Sequence, residues 1–124
     1  MIAVDSSSMI AHLSGAPGED VAIVDRALAD QLLVFPPVVL AELLSDPKLP
    51  RELLEILKVV PLLEITNGYW ERAGLLRAQI LRKKRKARLA DTLIAQSCLD
   101  HDVPVISRDS DFLTFARLGG LRLL

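Results

Sequence analysis

The chain has 124 residues, of which 51% are hydrophobic and only 4% aromatic, so one domain with an aliphatic core is expected. A formal net charge of −1 excludes attraction to polyanions by overall charge, and any basic surface must be local. The lone Cys98 excludes an internal disulfide. The sequence shows neither an apolar run that could span a bilayer nor a signal-peptide pattern, which leads us to expect a cytoplasmic protein without membrane contact.

Taken in order, Ile2 to Val4 reads as a short buried strand ending at Asp5. Ser6, Ser7 and Ser8 supply N-cap oxygens for a helix through Leu13. Gly15 to Gly18 reads as a turn, and from Glu19 the residues Val21, Val24, Leu28 and Leu32 recur at helical spacing. Leu32 to Phe35 reads as a second strand. Pro36 and Pro37 stop it, and Pro37 opens a helix over Val38 to Leu44. A further helix is predicted over Arg51 to Val59, a strand over Leu62 to Ile65, and a turn at Asn67-Gly68. A long helix is predicted from Tyr69 to about Lys86, with Tyr69 and Trp70 stapling it to the core, and another over Asp91 to Leu99. Val103 to Ser107 reads as a strand, Ser110 to Leu118 as a helix and Leu121 to Leu124 as a last strand. Alternating strands and helices predict an α/β fold with a mostly parallel sheet between helix layers.

Five carboxylates stand beside or inside apolar runs: Asp5, Glu42, Asp91, Asp109 and Asp111. Burying such groups is expensive unless something compensates. A shared divalent cation held by hard oxygen ligands would do so. Each acid also has a plainer reading. Asp5 caps a helix, Glu42 faces solvent, Asp91 favours a helix dipole, and Asp109 with Asp111 forms a turn. The set is more specific than any member. Asp5 and Asp109 fall at carboxyl ends of strands, where open parallel sheets bind ligands, if the strand order permits.

The segment Arg72 to Arg88 carries Arg72, Arg77, Arg82, Lys83, Lys84, Arg85, Lys86 and Arg88, eight of the 15 Lys and Arg residues. A charge run is commonly a solvated face, but this one leads straight to Asp91. A basic ridge beside an acidic pocket suits a polyanion. Arg77, Arg82 and Arg85, together with Arg108, are the expected nucleic-acid contacts. Cys98 and His101 have helical spacing, but no second pair completes a zinc site; they read as core and loop.

On these residues the chain resembles a PIN domain, in particular the VapC-type toxins of toxin–antitoxin pairs. The resemblance is carried by Asp5-Ser6-Ser7, by Ala41-Glu42-Leu43, by Asp91-Thr92-Leu93-Ile94-Ala95, and by Ser107-Arg108-Asp109 with Asp111-Phe112. Ser107 stands where Thr is usual and keeps the hydroxyl. The resemblance implies a three-layer α/β/α sandwich over residues 1–124 and a Mg²⁺- or Mn²⁺-dependent endoribonuclease. It also implies a homodimer inhibited by a cognate antitoxin. It assigns Asp5, Glu42, Asp91 and Asp109 as the catalytic quartet. The metal ligands are expected among Asp5, Asp91, Asp109 and Asp111, the choice between Asp109 and Asp111 being open. Ser7 and Ser107 would orient these carboxylates. Two other readings stay open. One is a PIN-like module that binds without cutting. The other is a phosphoryl-transfer domain, which Ser7 disfavours because the haloacid type places a second Asp there.

Overall fold

In the computed structural model, which describes residues 1–124, the run Ile2–Val4 forms strand β1 at the centre of a parallel sheet. It is flanked by β2 (Leu33–Val34) and β3 (Val105–Ile106), in the order β2-β1-β3. Ile2 and Ala3 pair with Leu33 and Val34, while Ala3 and Val4 pair with Val105 and Ile106. Successive strand residues face opposite sides, and both Ala3 and Val4 are fully buried, so helices cover both faces.

Seven helices surround the sheet: α1 (Ser6–Leu13), α2 (Glu19–Ala29), α3 (Pro37–Leu44), α4 (Arg51–Val59), α5 (Tyr69–Arg82), α6 (Leu89–Asp100) and α7 (Phe112–Gly119). All three phenylalanines, Phe35, Phe112 and Phe115, are fully buried with Met9, Leu57, Ile80 and Ile94. Cys98 joins this core, and burial pushes its thiol up to about 12, which makes it inert.

Three expectations need correction. The strands expected at Leu62 to Ile65 and Leu121 to Leu124 shrink to single parallel bridges, Phe35 with Leu62 and Val105 with Leu123. Beyond Leu63 the first segment is captured by side chains. The Glu64 carbonyl meets His101 Nε2 at 2.8 Å, and Thr66 Oγ1 is engaged by Asp100 and Arg72. Helix α5 ends at Arg82 and does not reach Lys86. Lys84 adopts φ +57°, its N–H donates to the Leu81 carbonyl, and the Arg85 N–H donates back to the Ile80 carbonyl. This pair of bonds is a Schellman closure, formed here without glycine. Finally, Tyr69 is buried and donates to the Leu93 carbonyl at 2.6 Å, but Trp70 is 62% exposed and holds nothing to the core.

Candidate active site at the carboxyl end of the sheet

The sheet order places a topological switch point at the end of β1, where the chain leaves to β2 on one side and β3 returns on the other. Ligands of open parallel sheets bind in this crevice. Asp5 is the first residue past β1, only 3% exposed, and it caps α1 by accepting the Ser8 N–H at 3.0 Å. Ser7 Oγ donates to both of its oxygens, at 2.9 and 2.8 Å, and Ser107 Oγ donates at 2.6 Å. Burial nevertheless holds the Asp5 carboxyl above its ordinary range, with a smaller push from Asp109. Both serines that the sequence singled out therefore fasten the same carboxylate.

Ser107 also orders the loop after β3. Its Oγ accepts the Asp109 N–H at 3.0 Å, and Asp109 Oδ1 in turn accepts the Asp111 N–H at 2.9 Å. This short relay turns Asp109 and Asp111 toward Asp91 in the first turn of α6. One carboxylate oxygen from each of Asp91, Asp109 and Asp111 lies within 4.8 Å of the others. Burial, then Asp109 and Asp111, push Asp91 up to about 6, and Glu42 adds to the push while Arg88 opposes it. Glu42 is exposed on α3, and Ser6 Oγ donates to it at 2.6 Å. The five acids thus form one electrostatically linked group around the crevice.

The basic residues divide. Arg77 is half-buried, and its Nε donates to the Ala87 carbonyl at 2.8 Å, tying the segment after α5 to that helix. Lys86 Nζ sits 3.1 Å from Asp111. Arg82 and Arg85 are exposed and have no ion-pair partner. Arg108 is different from these. Its Nε and Nη2 donate to Asp20 at 2.8 and 3.0 Å, and the pair holds the Asp20 carboxyl down at about 2. Arg72, in the same basic run, is likewise taken up by Asp100 at 2.7 Å.

Sequence reasoning missed Ser6, Ser8, Asp20 and Lys86. The sequence assigns Ser6 and Ser8 only as caps, yet the three serine hydroxyls serve Glu42, Asp5 and Asp20 separately. Lys86 was assigned to a helix, and the early end of α5 is what frees it to reach Asp111. The Cys98 and His101 pair binds nothing jointly, since Cys98 is core and His101 contacts the Glu64 carbonyl.

The PIN domain family model matches residues 2–118, and the chain belongs to that family. No curated protein sequence matches it significantly. Among solved structures it is similar to a chain of VapBC2 from Rickettsia felis, bound there to a promoter DNA fragment. The identity is 17% and the TM-score 0.77, over 100% of this chain and 98% of that one. It is similar to a chain of FitAcB from Neisseria gonorrhoeae at 18% identity and TM-score 0.73, over 100% of this chain and 96% of that one. VapBC-5 from Mycobacterium tuberculosis, a member of the VapBC family of toxin–antitoxin systems, gives 20% identity and TM-score 0.69, over 99% and 96%. At these identities the likeness is one of fold.

Proposed function

We propose that the protein is a Mg²⁺- or Mn²⁺-dependent endoribonuclease and the toxin of a toxin–antitoxin pair. The observation that carries this reading is the convergence of Asp91, Asp109 and Asp111 beside Asp5 at the sheet's switch point. The donor set fits a hard divalent cation, because every converging ligand atom is a carboxylate oxygen. Burial, and then the facing Asp109 and Asp111, make the Asp91 carboxylate costly to ionise in the chain alone. Asp5, Asp91, Asp109 and Asp111 would hold the cation. When bound, such a cation activates water as a nucleophile and offsets charge on the phosphoryl oxygens.

The chain's own residues bind, orient and move protons. Ser7 and Ser107 keep Asp5 in one rotamer. Glu42, held by Ser6 at the rim, or Asp109 would accept a proton from the attacking water. Arg82 and Arg85 would bind backbone phosphates of the RNA, in line with their exposure and lack of ion-pair partners. Water is the nucleophile, so the products carry no 2′,3′-cyclic phosphate. A phosphoryl-transfer role for Asp5 is disfavoured because Ser7 stands where the haloacid type places its second Asp. The fold neighbours that are toxin–antitoxin complexes support an antitoxin partner. An antitoxin Arg or Lys facing Asp5, Glu42, Asp91 and Asp109 would offset the same crowded charge that a metal offsets.

The test is cleavage of a single-stranded RNA by the purified protein. Cutting in Mg²⁺ or Mn²⁺, abolished by EDTA and restored by excess cation, is the expected result. Undiminished cutting in EDTA would overturn the reading.

A further inference from the structure

We infer that Asp20 and Arg108 form a positioning pair for the acidic pocket, with Arg108 clamping the loop that carries Asp109 onto the start of α2 instead of contacting RNA. The inference rests on the proposed metal-dependent RNA hydrolysis for its activity measurements, but not for its metal-binding measurements.

Arg108 lies between two residues of the pocket. Ser107 before it holds Asp5, and Asp109 after it belongs to the carboxylate cluster. Its guanidinium grips Asp20 in a two-pronged contact, Nε to Oδ2 at 2.8 Å and Nη2 to Oδ1 at 3.0 Å. Nη2 also donates to the Pro17 carbonyl at 3.2 Å. Bidentate pairs of this kind fix geometry as well as adding energy. Asp20 is itself secured from behind. Ser8, fully buried, donates its Oγ to Asp20 Oδ2 at 2.8 Å, while its N–H donates to Asp5. One residue thus links the clamp to the carboxylate at the head of the pocket.

The backbone is shaped around the pair. Gly18 has φ +150°, and a Cβ there would collide with Asp20 Oδ1 and stand 2.9 Å from Arg108 Nη2. A side chain there would push the ends of Asp20 and Arg108 out of their present contact, in a backbone conformation that favours glycine. A phosphate-binding arginine needs its fork open to the ligand. Arg82 and Arg85 meet that requirement, whereas Arg108 has Nε and Nη2 committed to the protein. Partners that orient ligating groups typically affect metal affinity or activity by roughly 10- to 100-fold.

The experiment compares wild type with Asp20→Asn, Arg108→Gln and the double variant. Mn²⁺ affinity is measured by electron paramagnetic resonance, and RNA cleavage is resolved into kcat and KM. Each single variant is expected to lower both Mn²⁺ affinity and kcat by roughly 10- to 100-fold. KM and the salt dependence of RNA binding should stay as in wild type. The double variant should be no worse than either single, because both remove the same contact. The inference is overturned if Arg108→Gln raises KM and flattens the salt slope by about 0.7 while Asp20→Asn behaves as wild type. It is also overturned if Mn²⁺ affinity is unchanged in both. If wild type binds Mn²⁺ but cuts no RNA, the ribonuclease reading fails, and the Mn²⁺ affinities still decide the role of the pair. Should a variant fail to fold, Arg108→Lys, which keeps one charged contact to Asp20, gives the same comparison.

Discussion

Asp91 titrates near 6 in the folded chain, against an ordinary value of 3.8, because it is half-buried and faces Asp109 and Asp111. A raised carboxyl pKa means that the native state binds more protons than the unfolded state between about pH 4 and 6. Metal-free stability contributed by this group is therefore lost as pH rises through that window. Asp5 is shifted in the same direction. Asp20 and Asp100 are shifted downward by Arg108 and Arg72, so the stability they add is lost only below about pH 4, outside the window. In EDTA, the thermal unfolding midpoint of the wild type should be lower at about pH 7.5 than at about pH 4.5. Asp91→Asn should flatten that fall and stabilise the metal-free protein at pH 7 by about 1 kcal/mol, after allowance for solvent screening. A wild-type midpoint that climbs steadily with pH, or an Asp91→Asn variant that is strongly destabilised without metal, would show that Asp91 is structural.

At the scale of elements, helix ends decide what reaches the pocket. Helices α1, α2, α5 and α6 all close with the same backbone bonds. At α1 the left-handed residue is Gly15, but at the others it is Gln31, Lys84 and Asp102, with φ from +52° to +57°. A left-handed conformation strains residues that carry a Cβ. Lys84→Gly is expected to stabilise the protein by roughly 0.5–1 kcal/mol, read as the unfolding free energy in denaturant, with the Lys86 to Asp111 contact kept. A loss of stability would mean that the turn is held by something other than this closure. The same feature explains what could be read in the sequence. The end of α1 was legible because Gly15 marks it. The end of α5 was not, since Lys83, Lys84 and Arg85 are all good helix formers and the closure depends on tertiary context. Asp5, Glu42 and Asp91 stand out in the sequence because each lies beside or inside an apolar run, and Asp109 because it follows a predicted strand. Ser8 and Asp20 were not, because their roles rest on a contact across 12 positions. Arg108 was legible as a cation, but its partner, 88 positions away, was not.

For the whole molecule, the apolar surface bears on assembly. Leu57, Leu76 and Ile80 face the core and are closed to a partner. Val59, Leu75, Trp70 and Ile10 remain 77%, 67%, 62% and 54% exposed. These side chains give a two-fold partner something to cover, and we expect sedimentation at micromolar concentration to show a homodimer. A monomer throughout would remove that claim. No helix is long and apolar enough to cross a membrane.

The proposed function places RNA cleavage in the acidic pocket. The most direct measurement is the rate of single-stranded RNA cleavage in Mg²⁺ by wild type and by Asp91→Asn, with both shown to be equally folded. The variant is expected to cut at least roughly 100-fold more slowly, and the wild-type products to carry no 2′,3′-cyclic phosphate. Equal rates, or cyclic-phosphate products from the wild type, would contradict the proposed function.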